Sequence, residues 1–194
     1  MQLEAILDAA KICFVRSGFH GTSTEAICSE AGVSSGKLFH YFPSKKAIIL
    51  AVVHGQTRQT EAYIQQLLRR SDLSAALLDF LDIILHLAAD VKERRLILEI
   101  AAEATRDEDV GALDAAADRL LAGGLTALLS GAAEHGQISP VVPLEHAVRF
   151  LMIVIDGIFS RAAIDDSFNP AAERGSLQII IRNILCIAGE KPDA

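Results

Sequence analysis

The chain of 194 residues has no tryptophan and only two tyrosines, and aromatics make up 5% of it. Its three cysteines, Cys13, Cys28 and Cys186, are widely scattered and form no CxxC pair. Such sparse cysteines give no disulfide framework or cysteine-rich zinc site, and suit a reduced compartment in which cysteine acts as a small apolar residue. The five prolines, Pro43, Pro140, Pro143, Pro170 and Pro192, all stand where other signals already mark a boundary. Proline disrupts a helix interior by ~3 kcal/mol or more, so this placement leaves long stretches free to be helical. No apolar run approaches the ~18 residues of a bilayer span. His86, Asp156 and the pair Arg182-Asn183 interrupt the richest stretches. The first residues, Met1-Gln2-Leu3-Glu4, show no basic segment leading into an apolar one, so the expected location is the cytoplasm, with no membrane partner. Also missing are HExxH, GxSxG, a phosphate-cradling glycine loop and any metal-spaced His/Cys/Asp/Glu set. The expectation is a protein that is no enzyme, with no catalytic residue, metal or cofactor.

What is present favours helices. Half the residues (51%) are hydrophobic, with thirty alanines and 24 leucines, and there is no sustained apolar/polar alternation. A chain of this length buries ~70% of its unfolded surface and needs no covalent staple. The pattern predicts an all-α protein of about nine helices, near 2–17, 24–31, 35–41, 45–70, 74–89, 92–105, 108–135, 144–165 and 171–188. Gly18 is expected to stop the first, and Ser44 to cap the fourth. The net charge of −7 divides unevenly. Residues 1–55 carry five Lys/Arg against four Asp/Glu, a balance of +1, and the rest carries −8.

Residues 24–41 carry the most information. Two short helices joined by Gly32-Val33-Ser34 make a helix-turn-helix pattern. Thr24 is placed to cap the first, Ala31 is small enough for a close crossing, and Gly32 permits a left-handed turn. Ser34 or Ser35 caps the second helix, whose outer residues Ser35, Gly36, Lys37 and His40 are small or rich in donors, as a major-groove helix requires. Phe14, Phe19 and Phe42 read as core; Phe39 reads as either core or interface. Taken alone, Lys45 and Lys46 are an ordinary solvated pair.

From Ile6-Leu7-Asp8-Ala9-Ala10 through Gly18-Phe19, Gly21-Thr22-Ser23-Thr24 and Ala31-Gly32-Val33-Ser34-Ser35-Gly36-Lys37-Leu38-Phe39-His40-Tyr41-Phe42-Pro43-Ser44-Lys45, the chain resembles the DNA-binding domain of the TetR family. The resemblance implies a DNA-binding domain over 1–46 and a ligand-binding and dimerisation domain over 47–194. It implies a recognition helix at about 35–41 with Ser34, Ser35, Gly36 and Lys37 at its start. Phe39, His40 and Tyr41 match the family's aromatic cluster beside the phosphate backbone, and Thr24 and Lys45 match phosphate contacts. Phe39 stands where many members carry tyrosine, which removes one phenol-to-phosphate bond. The implied function is a sequence-specific transcriptional regulator, a repressor released from its operator by a small molecule.

For the body, the resemblance implies a homodimer through helices 144–165 and 171–188, matching a pseudo-palindromic double-stranded operator. Two apolar stripes are available: Ala147, Phe150, Leu151, Val154, Ile155, Ile158 and Phe159, then Leu177, Ile180, Ile181, Ile184, Leu185 and Ala188. These stripes could equally complete a monomer core. Candidates for lining an effector pocket are Tyr63, Phe80, His86, Glu99, Glu103, Phe150, Met152 and Asp156. Each also has a plainer reading as packing; His86 could be a hydrogen-bonded core histidine and Asp156 an interface acid. A helical DNA binder without an effector would differ only in having a filled body.

Overall fold

In a computed structural model, residues 2–187 are described, and every regular element among them is an α-helix. The helices are α1 (Gln2–Gly21), α2 (Thr24–Ala31), α3 (Ser35–Tyr41), α4 (Lys45–Leu67), α5 (Leu73–Ala89), α6 (Val91–Ala104), α7 (Glu108–Glu134), α8 (Leu144–Ile164) and α9 (Arg174–Leu185). Gly18 does not end α1. It takes φ 69° and ψ 172° and kinks the helix, which then resumes to Gly21. The last helix begins at Arg174 rather than near 171, because Pro170 and the following residues form turns. Ala188 and Pro192 lie outside the described residues.

Packing divides the chain into two compact units, and neither ends at residue 46. The first unit holds residues 1–59 and 92–117; the second holds 60–91 and 118–194. In the first, Ile6, Phe14, Phe19, Ile27, Leu38 and Ile48 are almost fully buried. Phe14 and Phe19 meet edge to face with ring centres 4.7 Å apart. Leu96 and Ile100 of α6 and Val110 of α7 join this cluster, so the helix-turn-helix shares one core with α6. Each such side chain contributes about 1.5–3 kcal/mol on burial.

The second unit has its own core, in which Leu77, Leu81, Leu125, Leu128, Leu129 and Ile181 are almost fully buried. A close approach is set by Gly124: a Cβ there would sit 2.7 Å from the Ile64 side chain, so α4 and α7 require a bare backbone at that point. The N-terminus of α5 is capped twice. Asp72 accepts from the Ala75 N–H at 2.8 Å, and Gln137 accepts from Leu73 and Ser74 at 2.8 and 3.2 Å. These bonds satisfy N–H groups that a helix start leaves without partners.

Candidate nucleic-acid interface

Local chemistry builds the α2–α3 pair in order. Ser23, in extended backbone, caps α2 by accepting the Ala26 N–H at 3.1 Å. Thr24, expected to be the cap, is instead the first helical residue. Gly32 ends α2 with φ 63° and ψ 34°, a left-handed conformation that glycine adopts without steric cost. The Val33 N–H closes the turn on the Cys28 carbonyl at 3.0 Å. Ser34 then caps α3, its hydroxyl accepting the Lys37 N–H at 3.3 Å.

Within α3 one side chain points inward. Leu38 is fully buried, and Phe42 is buried just after the helix. Ser35, Gly36, Phe39, His40 and Tyr41 are exposed and Lys37 is half-buried. Nothing lies within 4 Å of a Cβ built on Gly36, so internal packing does not explain the glycine. His40 and Tyr41 stack edge to face at 5.3 Å. The outward surface therefore has a small, flat start with a lysine, followed by an aromatic patch with a phenol and an imidazole. Such a surface can approach base edges closely and donate hydrogen bonds to phosphates.

The lysines behind α3 are engaged elsewhere. Lys45, expected at a phosphate, donates to the carbonyls of Phe19, His20 and Thr22 at 2.8, 3.3 and 2.9 Å. An ammonium has three donors, and all three are used. Lys45 thus ties the end of α1 to the start of α4. Lys46 pairs with Asp107 and Asp109 at 2.8 and 2.6 Å, and these carboxylates hold its ammonium well above the usual lysine range. Thr22, not singled out from sequence, is buried, and its hydroxyl shares its one proton between the Cys13 and Gly18 carbonyls, 3.0 and 2.7 Å away, which steadies the kink.

Residues 6–52 match the family model for bacterial regulatory proteins of the tetR family. Residues 69–185 match the model for the C-terminal part of BetI-type transcriptional repressors. The chain belongs to the TetR family. It is a helix-turn-helix transcriptional regulator that binds DNA. It is 27% identical over 191 residues to the HTH-type transcriptional regulator UidR of Escherichia coli K12, covering 95% of this chain and 96% of that one. It is 34% identical over 146 residues to the regulator RutR of the same strain, covering 72% and 66% respectively. Among solved structures, Salmonella enterica GusR superposes with a TM-score of 0.77 at 27% identity, covering 95% of each chain. Among the described residues, no helix is long and apolar enough to cross a membrane.

The candidate pocket residues of this TetR-family chain do not come together. Glu99 and Glu103 belong to the first unit and face α1: Glu99 accepts the Phe19 N–H at 2.6 Å, and Glu103 lies 2.8 Å from His20 Nε2. His86, Phe150 and Asp156 are exposed, and Met152 is half-buried. Tyr63 and Phe80 do meet, with rings stacked at 6.4 Å. An open hollow of about 260 Å³ in the second unit is lined instead by Leu85, Val154, Gly157, Ile158, Phe168, Leu177 and Ile180, with Arg161, Glu173 and Ser176 beside them. Val154, Ile158, Leu177 and Ile180 belong to the apolar stripes of α8 and α9, and periodicity cannot tell a side chain against a neighbour from one against a void.

The two apolar stripes turn mostly inward. Ala147, Leu151, Ile155, Ile158 and Phe159 are buried in α8, as are Ile181 and Leu185 in α9. A second apolar face stays exposed: Phe150, Ile153 (61% exposed) and Ile164 (72%) on α8, with Ile179 (61%) and Ile180 on α9. On α8 this face continues through Gly157 and Ser160, a 3–4 spacing along one side of the helix. Its signal in the sequence was the doubled apolar pattern of α8.

Proposed function

We propose that the chain is a homodimeric repressor, released from a pseudo-palindromic operator by a small molecule bound in the second unit. The carrying observation is the outer face of α3, which leaves Ser35, Gly36, Lys37, Phe39, His40 and Tyr41 toward solvent while Leu38 anchors the helix. Lys37 and the N-terminal turn of α3 would contact base edges. Thr24, Ser34, His40 and Tyr41 would meet phosphates and fix the register. The exposed apolar face of α8 and α9 supports the dimer: isolated apolar residues are ordinary on a surface, but contiguous ones mark an interface.

The hollow in the second unit supports an effector with an apolar body. Its lining is almost wholly hydrocarbon, while Arg161 and Glu173 could orient a polar end. Its volume, about 260 Å³, is just below the ~300–1,000 Å³ usual for small-molecule sites. Release requires the effector to bind one arrangement of the dimer more tightly than the other; a full switch takes about 5.5 kcal/mol of differential binding. The test is selection of duplexes from a randomised pool, followed by binding at two salt concentrations. A sequence-preferring complex that weakens with salt is expected; failure to select any sequence overturns the reading.

A further inference from the structure

Glu99, Glu103 and Asp107 follow one another at four-residue intervals through α6 and into the turn before α7. All three belong to the first unit, and each grips a different group. Glu99 Oε1 accepts the Phe19 N–H at 2.6 Å, Glu103 Oε2 lies 2.8 Å from His20 Nε2, and Asp107 Oδ2 lies 2.8 Å from Lys46 Nζ. The kink at Gly18 turns the Phe19 N–H toward Glu99. A Cβ on Gly18 would stand 2.9 Å from the same carboxylate oxygen and push it aside, and the φ of 69° itself favours glycine. On the other side of this segment, Lys45 holds the carbonyls of Phe19, His20 and Thr22. The stretch 18–22, which leads directly into α2 and α3, is held by Glu99 at the Phe19 N–H, by Glu103 at the His20 ring and by Lys45 at three carbonyls.

Such an arrangement does more than hold helices together. Apolar contact already joins α6 to the helix-turn-helix core, through Leu96 and Ile100. Contact of that kind is non-directional. A buried carboxylate carries a desolvation cost that only well-placed partners offset, and Glu103 is just 8% exposed. What carboxylates add is direction, since a hydrogen bond weakens steeply as it bends. We propose that Glu99 and Glu103 are positioning residues for DNA binding: they fix the orientation of the 18–22 segment, and through it the angle at which α3 is presented, without touching DNA. Asp107 secures the same joint through Lys46.

The proposal rests on the α3 reading face described under Proposed function, and its first readout uses the paired heads described there. The probe is the duplex that the unmodified chain selects from a randomised pool, together with the same duplex lengthened by two base pairs at its centre. The unmodified chain is expected to bind the lengthened duplex at least about tenfold more weakly, because half-site spacing must match a fixed pair of heads. Glu99→Ala is expected to bind the selected duplex about tenfold more weakly and to lose most of the discrimination between the two. Glu99→Gln, whose amide oxygen can accept the same N–H, should restore both. Simple destabilisation would weaken binding to both duplexes in parallel, so an unchanged ratio in Glu99→Ala overturns the proposal. Should Glu99→Ala not fold by circular dichroism, His20→Ala, which leaves Glu103 without its partner, takes its place with the same criterion. If the unmodified chain ignores the added base pairs, the paired-head reading fails. The proposal then stands or falls on the tenfold loss in Glu99→Ala at equal folded fraction. If no duplex is selected, both fall together.

Discussion

Lys45 Nζ lies 2.8 Å from the Phe19 carbonyl oxygen, across 26 residues of chain. The bond closes the end of α1 onto the start of α4, with His20 and Thr22 completing the set. Hydrogen bonds to a charged group contribute ~1.5–3 kcal/mol each, less where water competes. Lys45→Ala should therefore lower unfolding stability by about 1–3 kcal/mol, read from urea denaturation. The slope of log affinity against log salt for DNA should stay the same, because no phosphate contact is removed.

Lys37 should behave in the opposite way. It sits in the first turn of α3 with its backbone N–H, not its ammonium, on Ser34. Lys37→Ala should leave the unfolding midpoint within about 0.5 kcal/mol. A salt titration should show the slope reduced by about 0.9, the share of one phosphate, if the ammonium meets the backbone. An unchanged slope with relaxed sequence preference would assign it to a base edge.

Gly18 should tolerate no side chain. Its φ of 69° with ψ of 172° is a conformation essentially reserved for glycine, costing an L-residue roughly 1–3 kcal/mol, and the Cβ would also press on Glu99. Gly18→Ala is expected to lose at least that much stability in denaturant. Gly36→Ala, where the surroundings are open and φ is helical, should cost nothing in stability while weakening DNA binding.

The dimer can be tested without DNA. Ile153 and Ile179 are each 61% exposed on the outer face of α8 and α9. A charge placed in an apolar interface must be desolvated without a partner. Ile153→Glu is expected to convert a dimer to a monomer by analytical ultracentrifugation while helicity is retained. A monomeric unmodified chain would refute the dimer.

Asp72 gives a pH dependence of known sign. The Ala75 N–H, the Ser74 hydroxyl and neighbouring groups hold its carboxyl below the usual aspartate range. Because the folded value is depressed, its stabilisation is complete above the unfolded value, near ~4, and is lost as pH falls through the folded one. Asp72→Asn keeps the cap but cannot titrate. It should match the unmodified chain in denaturation at pH 7 and lose less stability between pH 5 and pH 2.

The helix-turn-helix was legible because its determinants are local. Gly32, Ser34 and Leu38 do their work within a few residues of where they stand in the chain. The destinations of Glu99 and Glu103 were not legible. Periodicity puts a carboxylate on one face of α6, but the partner that face meets lies 80 or more residues away. The body misled for a related reason. The apolar pattern of α8 superposes an inward stripe through Leu151 and Ile155 on an outward one through Ile153 and Ile164. A single sequence cannot separate two stripes that share a helix.

Lys45 and Lys46 are neighbours in the chain, yet one reaches α1 and the other reaches the acids Asp107 and Asp109. Consecutive helical residues point about 100° apart, so the two bonds constrain α4 around its axis from two directions. Turning the start of α4 about its axis would break both sets at once. Within the first unit, the twin lysines thus act as a key in a shaft, holding the first turn of α4 against rotation.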